Sequence, residues 1–100
     1  MKYQIVFSPE AREQLAGLFQ YLAAVSTPDI ATGYTDAIMD YCESLTRFPI
    51  CGVSRDDVRP GLRVAHYKKR TAIAFTVDKA IVAIIGIFYG GQDYETLLSD

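Results

Sequence analysis

The chain has 100 residues, of which 50% are hydrophobic and 22% are charged, and its formal net charge is −2. This length and composition are typical of one globular domain with a single core, and they argue against a disordered chain and against two domains. We therefore predict one domain over residues 1–100. The longest apolar run, residues 80–89, is about half as long as a membrane-spanning helix. Because the N-terminus also lacks a secretory signal pattern, we expect a cytoplasmic protein with no membrane segment.

Charge is segregated along the chain. Residues 1–54 contain three cations and six carboxylates, and residues 93–100 contain three carboxylates and no cation. Residues 55–79 reverse this balance with seven cations and three carboxylates. The basic middle segment fits a patch that binds an acidic partner, and it fits a solvated strand face equally well.

The first elements in chain order are a strand and a helix. The alternation of apolar residues over residues 2–7 predicts a strand with one better-buried face. Ser8, Pro9 and Glu10 then form a helix start, because Ser caps free N–H groups and Pro suits the first helical position. The predicted buried stripe of this helix comprises Ala11, Leu15, Leu18, Leu22 and Val25, with Phe19 beside it.

A second helix is predicted directly after the first. Residues 26–29 repeat the start signal, and Pro49 marks the end. The two helices therefore form a hairpin. The predicted buried stripe of the second helix comprises Ile30, Tyr34, Ala37 or Ile38, Tyr41, Leu45 and Phe48.

The second half of the chain predicts a loop and then strands. Residues 50–61 lack periodicity, whereas residues 62–68, 71–77 and 80–89 read as three strands joined by two tight hairpins. The last strand is apolar on both faces, which suits a central position in the sheet or a strand covered by a partner. In the middle strand, one face carries large residues for the helices. The other face carries Ala72, Ala74 and Thr76, so we expect an under-filled surface that another polypeptide covers.

The glycine pair near the C-terminus predicts a corner at the end of the sheet. Gly90 and Gly91 allow backbone conformations that other residues avoid, and Asp93 is placed to cap a short helix carrying Leu97 and Leu98. The predicted fold class is therefore α+β, with the order β-α-α-β-β-β. It consists of an α-helical hairpin packed on a largely antiparallel sheet, followed by a short C-terminal helix.

The residues that carry reactive chemistry form no recognisable active site. His66 is the single histidine, and because it alternates with Leu62 and Val64 we expect it at the edge of the core. Cys42 and Cys51 support neither a disulfide framework nor a zinc site, so we expect reduced thiols, with Cys42 buried. We predict no catalytic residue, no metal and no cofactor.

The element order resembles the ParE branch of the RelE/ParE toxin superfamily over nearly the full chain. The resemblance depends on the Gly-Leu-Arg strand start at residues 61–63 and on the Asp-Tyr-Glu-Thr-Leu-Leu segment at residues 93–98, which follows a hydrophobic strand. It implies the toxin of a bacterial type II toxin–antitoxin module. Such a toxin inhibits DNA gyrase by binding, has no enzymatic activity, and forms a hetero-oligomer with a ParD-like antitoxin that neutralises it. No direct, specific binding of nucleic acid is expected.

The resemblance and the charge pattern together suggest which residues contact the partner. The predicted antitoxin contacts are Arg63, Tyr67, Ala74, Phe88 and Tyr89. The predicted electrostatic anchors are Arg55, Arg59 and Arg70.

Two alternatives remain open from the sequence. The RelE-like branch contains ribosome-dependent messenger RNA endonucleases, which use Lys and Arg on the middle strands and a basic residue and a Tyr near the C-terminus. Here the corresponding turn is residues 89–92, with no Lys or Arg after Lys79, which argues against cleavage. The cations Arg63, Lys68, Lys69 and Arg70 keep RNA cleavage possible in principle. The second alternative is a degenerate, non-toxic binding module.

Overall fold

The computed structural model describes residues 3–48, 51–90 and Leu98. Within these ranges the predicted α+β order is confirmed, with one short strand added inside the predicted loop. The elements are β1 (Gln4–Phe7), α1 (Pro9–Val25), α2 (Pro28–Ser44), β2 (Val53–Ser54), β3 (Arg63–Tyr67), β4 (Thr71–Asp78) and β5 (Ile81–Tyr89). The C-terminal helix predicted from Asp93 lies outside the described residues, apart from Leu98.

The strands form one five-stranded sheet in the order β1-β5-β4-β3-β2. β1 pairs with β5 in parallel, and the other three pairs are antiparallel, so the predicted largely antiparallel sheet is confirmed. β5 lies between β1 and β4, which explains why both of its faces are apolar. The helical hairpin connects β1 to the rest of the sheet and packs on one face.

Both helices begin at the predicted caps. Ser8 accepts a hydrogen bond from the Ala11 N–H at 3.0 Å, and Thr27 accepts one from the Ile30 N–H at 3.1 Å. Each cap satisfies an N–H group that has no partner inside the helix. α2 ends at Ser44, earlier than the predicted end at Pro49, which lies outside the described residues.

The main core lies between the helices and the sheet. α2 turns Ala31, Thr35, Ile38 and Cys42 inward. Thr35 is accommodated because its hydroxyl donates to the Ala31 carbonyl at 2.9 Å. Because Thr35 is polar, the pattern of apolar residues did not indicate the buried face of α2. That face begins at Ala31, one residue later than the predicted Ile30.

Three residues predicted to be buried are exposed. Val25, Ile30 and Phe48 expose 62%, 58% and 70% of their surface. Val25 is the last residue of α1, and Ile30 is displaced from the core by the shifted face of α2. Phe48 lies beyond the end of α2 at Ser44, so the helical period does not determine the direction of its side chain.

A second apolar cluster covers the sheet face opposite the helices. It consists of Leu62, Val64, Ala72, Ala74, Phe88 and Leu98. Ala74 is fully buried and Ala72 is 9% exposed. The expectation of an under-filled surface is therefore wrong at these two alanines, because Leu62, Phe88 and Leu98 pack in the same cluster.

An irregularity in β5 produces this arrangement. Gly86 pairs with Ala74 and Ile84 pairs with Phe75, so Ile85 is an extra residue in β5. Such a bulge changes the side to which the following residues point. As a result Ile84 and Ile87 both join the helix-side core, while Phe88 joins the opposite cluster.

Candidate functional site

Five tyrosines form a continuous aromatic array where the helical hairpin meets the end of the sheet. Tyr34 is central, with ring centroids 5.8 Å from Tyr67 and 5.9 Å from Tyr89. Tyr41 lies 5.4 Å from Tyr67, and Tyr21 lies 6.2 Å from Tyr89. Tilted and edge-on ring pairs at these distances are favourable. We call this set the tyrosine array.

A hydrogen bond joins the tyrosine array to the sheet. The Tyr34 hydroxyl and the hydroxyl of fully buried Thr71 lie 2.9 Å apart. Thr71 begins β4 and pairs with Tyr89 of β5. The array therefore fixes α2 against the ends of the two central strands.

The turn between β3 and β4 carries three consecutive cations, Lys68, Lys69 and Arg70, which we call the basic turn. All three are exposed. Lys68 Nζ lies 5.6 Å from the centre of the Tyr67 ring, within the range of a cation–π contact. The Gly90 N–H donates to the Arg70 carbonyl at 2.8 Å. The left-handed Gly90, with φ of 73°, thus holds the end of β5 beside the basic turn, as the predicted corner requires.

A pocket of about 640 Å³ opens between α1 and the basic turn. Its walls include Gln14, Gly17, Tyr21, Arg70 and Tyr89, and we call it the tyrosine–arginine pocket. The Gln14 side-chain oxygen accepts a hydrogen bond from the Ile87 N–H at 2.7 Å. This bond satisfies a backbone donor next to the bulge in β5 and fixes one wall of the pocket.

A second cleft of about 490 Å³ follows the helical hairpin. Most of its lining is apolar and comes from Phe7, Leu15, Ala16, Phe19 and Met39, with Arg12, Thr35 and Asp36 also contributing. We call it the hairpin groove. Met39 is 43% exposed there, so the groove offers accessible apolar surface.

The eight residues predicted from sequence lie in three separate places. Tyr67, Tyr89 and Arg70 come together at the tyrosine array and its pocket. Ala74 and Phe88 lie in the cluster on the opposite sheet face, where they are 0% and 2% exposed.

The other three predicted residues are arginines, and none lies in the tyrosine–arginine pocket. Arg59 lines a cleft beside the opposite cluster. Arg63 donates to the Cys51 carbonyl at 3.0 Å and so holds the start of the β2 segment. Arg55 pairs with Asp57 at 3.0 Å within the loop.

Sequence reasoning missed several residues of the pocket region. Tyr21 was passed over because Leu18 and Leu22 define the buried stripe of α1, while Tyr34 was assigned only to the core. Gln14 could not be predicted as a pocket residue, because a polar residue on a helix is ordinarily expected to face solvent. Lys68 and Lys69 were considered as part of the basic segment and for RNA cleavage, but not as partner contacts. The abundance of tyrosine, with seven in the chain, was the available clue.

Three titratable groups near the array, Tyr41, Cys42 and Cys51, have pKa values raised by burial. Burial raises the pKa of the Tyr41 hydroxyl, and the neighbouring thiols of Cys51 and Cys42 raise it further. Burial raises the pKa of Cys42 to about 12, and the prediction that Cys42 is buried is confirmed. Burial also raises the pKa of Cys51, against the opposing effect of Arg63. Neither thiol is activated as a nucleophile, because the thiolate is the reactive form.

His66 does not lie at the core edge as predicted. It is exposed on β3, opposite Ala72 of β4. The apolar cluster on that sheet face covers Val64 but does not extend over His66. Within residues 3–48 and 51–90 and at Leu98, no group of three or more His, Cys, Asp or Glu side chains is arranged to hold a metal ion. In the same part of the chain no helix is both long and apolar enough to span a membrane.

Solved structures define the class of fold. The chain is similar to the chromosomal ParDE toxin–antitoxin system from P. aeruginosa, with a TM-score of 0.78, 17% identity, and coverage of 89% of this chain and 97% of that chain. It is also similar to the RelBE2 toxin–antitoxin complex from Mycobacterium tuberculosis, with a TM-score of 0.62, 19% identity, and coverage of 89% and 99%. The fold is therefore RelE/ParE-like. No curated protein sequence matches the chain significantly.

The family assignment comes from the sequence of almost the whole domain. The family described as the ParE toxin of the type II toxin–antitoxin system, parDE, matches residues 5–94. The chain therefore belongs to the ParE toxin family, and it is a toxin of a type II toxin–antitoxin system. The resemblance read from the sequence is confirmed.

Proposed function

We propose that this toxin inhibits DNA gyrase by binding it, and that a ParD-like antitoxin neutralises the toxin in a hetero-oligomer. The observation that carries the proposal is the match of residues 5–94 to the ParE family. The similarity in fold to a ParDE system, over 97% of that chain, supports the same assignment. Since gyrase acts on the chromosome, the proposal also places the protein in the cytoplasm.

The exposed apolar surface supports a polypeptide partner. Among the described residues, the exposed large hydrophobic residues are Val6, Tyr21, Val25, Ile30, Met39, Phe48, Val53 and Ile81, of which Met39 lines the hairpin groove. A contiguous apolar cleft that stays open in a monomer is typical of a protein-binding surface. We assign the hairpin groove to an apolar helix of the antitoxin, because helix-in-groove binding needs this shape and lining.

The sheet face opposite the helices supports binding rather than RNA cleavage. Cleavage by cations needs Lys or Arg side chains around a phosphate. On this face β3 and β4 contribute the buried Val64, Ala72 and Ala74 and the exposed His66, but no Lys or Arg. Arg63, the only cation of β3, lies on the other face of the strand and donates to the Cys51 carbonyl. We therefore propose that the protein is not an enzyme.

Induced expression in bacteria tests the proposal. Expression of the toxin alone should stop growth and leave plasmid DNA less negatively supercoiled, and coexpression of the ParD-like antitoxin should restore both. Loss of ribosome-bound messages with normal supercoiling would contradict the gyrase assignment and favour the RelE-like reading. Normal growth under verified expression would favour a non-toxic binding module.

A charge placed in the hairpin groove tests the surface assigned to the antitoxin. Met39→Lys should weaken neutralisation by the antitoxin, because it buries a cation under the partner helix. The matched control is Ala24→Lys, which adds the same charge at an exposed position of α1 that does not line the groove. Equal neutralisation of both variants would remove the groove from the antitoxin interface.

A further inference from the structure

The basic turn lies beside the tyrosine–arginine pocket, and the proposed function assigns a partner to neither of them. Lys68, Lys69 and Arg70 are exposed, and within the described ranges no carboxylate pairs with any of them. By contrast, the other hairpin turn of the sheet carries a single cation, Lys79, beside Asp78. A concentration of three cations at one corner of an acidic protein produces a local positive potential.

Backbone strain does not distinguish the basic turn. Lys68 and Lys69 have φ values of 51° and 64°, and Lys79 in the other turn has a φ of 55°. What distinguishes the basic turn is its surroundings. Arg70 lines a pocket that also contains the aromatic rings of Tyr21 and Tyr89, whereas Lys79 lines none of the three pockets described above.

The pocket is built before any partner arrives. Gln14 is held by the Ile87 N–H at 2.7 Å, and Tyr34 holds both Thr71 and the Tyr89 ring. Side chains that are already fixed lose little conformational entropy when a ligand binds. Tyr21 is 55% exposed at the mouth, so an incoming side chain has apolar surface to cover.

We propose that the basic turn and the tyrosine–arginine pocket form one binding site for an acidic peptide segment that inserts an apolar side chain. The carboxylates lie against Lys68, Lys69 and Arg70, and the apolar side chain packs between α1 and Tyr89. We assign this segment to the antitoxin, and in that respect alone the inference rests on the proposed function.

The charge of the remaining surface favours a peptide over a nucleic acid. A nucleic acid presents a long run of phosphates and needs an extended basic surface. Here the sequence pI is about 5.3, and α1 carries the exposed carboxylates Glu10 and Glu13 next to the pocket residue Gln14. A short segment can place its few carboxylates at the basic turn and keep them away from Glu10 and Glu13 of α1.

Direct binding to the purified full-length chain tests the inference. The probe is a short fluorescein-labelled peptide of Glu and Asp with one central Leu. Its binding to the protein is measured by fluorescence anisotropy. Two reference peptides replace the acids by Gln and Asn, or the Leu by Ser. Both should bind at least about tenfold more weakly, because each lacks one half of the recognition.

Variants with matched controls locate the site. The combined variant Lys68→Asn, Lys69→Asn and Arg70→Gln should weaken binding about tenfold, and Asn is chosen because it tolerates positive φ. Lys79→Asn, in the opposite turn, should bind as the wild type does. Gly17→Gln should block the pocket, because Gly17 is part of the pocket wall. The substitution should not disturb the fold, because no atom lies within 4 Å of a Cβ added there. Gly33→Gln, at an equally open helix position outside the pocket, is its control.

Several results would overturn the inference. Binding of the neutral peptide as tightly as the acidic one would exclude charge recognition, and an equal loss in Lys79→Asn would exclude the basic turn. Tighter binding of a single-stranded oligonucleotide would replace the peptide by a nucleic acid. If no peptide binds while the antitoxin still neutralises the toxin, this inference fails and the proposed function stands. If the peptide binds but no antitoxin neutralises the toxin, the site stands and its assignment to the antitoxin fails.

Discussion

At the scale of single residues, Gly86 decides how the sheet face opposite the helices is packed. A Cβ atom at Gly86 would lie 2.5 Å from Cε2 of Phe88, which is closer than real contacts allow. Gly86→Ala therefore has to displace the ring of Phe88, which is only 2% exposed. We expect the free energy of unfolding to fall by about 1–3 kcal/mol, as measured by urea denaturation.

Gly33→Ala is the control for that substitution. A Cβ atom at Gly33 meets nothing within 4 Å, and Gly33 lies inside α2. The added methyl group should stabilise the protein by about 0.4–1 kcal/mol, because Ala favours the helix and restricts the unfolded chain. If Gly86→Ala is as stable as the wild type, the described position of the Phe88 ring is wrong.

Cys42 makes stability depend on alkaline pH. Burial raises its pKa from 9.0 to about 12, so the folded protein keeps a thiol proton that the unfolded chain releases. Its contribution is complete below pH 9.0 and is lost as the pH rises toward 12. Through this window the free energy of unfolding should fall by up to about 1.4 kcal/mol per pH unit from this group alone.

The comparison with Cys42→Ala isolates this effect, because tyrosines and lysines titrate in the same range. Urea denaturation at a series of pH values gives the slope for each protein. The slope of the variant should be shallower by about one proton above pH 9.0. Identical slopes would show that the thiol is not buried in the folded protein.

At the scale of elements, Ser8 does more than cap a helix. It accepts from the Ala11 N–H at 3.0 Å, donates its hydroxyl to the Ile85 carbonyl at 3.3 Å, and donates its N–H to the Ile84 carbonyl at 2.9 Å. It therefore ties the junction of β1 and α1 to the bulged segment of β5. The Thr27 side chain, by comparison, makes the capping bond to the Ile30 N–H and no described bond to the sheet.

The two caps should differ in their contribution to stability. Thr27→Ala should lower the free energy of unfolding by about 1 kcal/mol, the usual cost of a lost cap. Ser8→Ala should cost about 0.5–1.5 kcal/mol more, since it also removes a hydrogen bond to β5. Urea denaturation of the two variants side by side checks this order, and an equal loss in both would show that the bond to Ile85 contributes nothing.

The sequence predicted the strands and the helix starts well, because these depend on local signals. The caps at Ser8 and Thr27 and the left-handed Gly90 are set by residues within one turn of the chain. The buried face of α2 was misplaced because Thr35 occupies a core position, and only a hydrogen bond to Ala31 makes that position tolerable. Helical period alone does not reveal such a bond.

The candidate site was predicted only in part, because long-range pairing assembles it. Tyr89 and Arg70 were identified, but Gln14 enters the pocket through a bond to Ile87, 73 residues away. The covered face at Ala74 depends on the bulge that sends Phe88 to that side. Neither the bulge nor the covering residues follow from alternation along a single strand.

At the scale of the whole molecule, we propose a toxin that acts by binding. The fold and the family match place the chain among ParE toxins. Two open surfaces of the described residues are the apolar hairpin groove and the tyrosine–arginine pocket with its basic turn. These surfaces suit partners of different chemistry, an apolar helix in the first and an acidic segment in the second.

The most direct measurement is a supercoiling assay with purified DNA gyrase, ATP and relaxed plasmid. We predict that the purified toxin reduces supercoiling in proportion to its concentration, and that equimolar ParD-like antitoxin restores it. Full supercoiling at a toxin concentration well above that of gyrase, with a toxin preparation shown to be folded and to bind its antitoxin, would contradict the central claim.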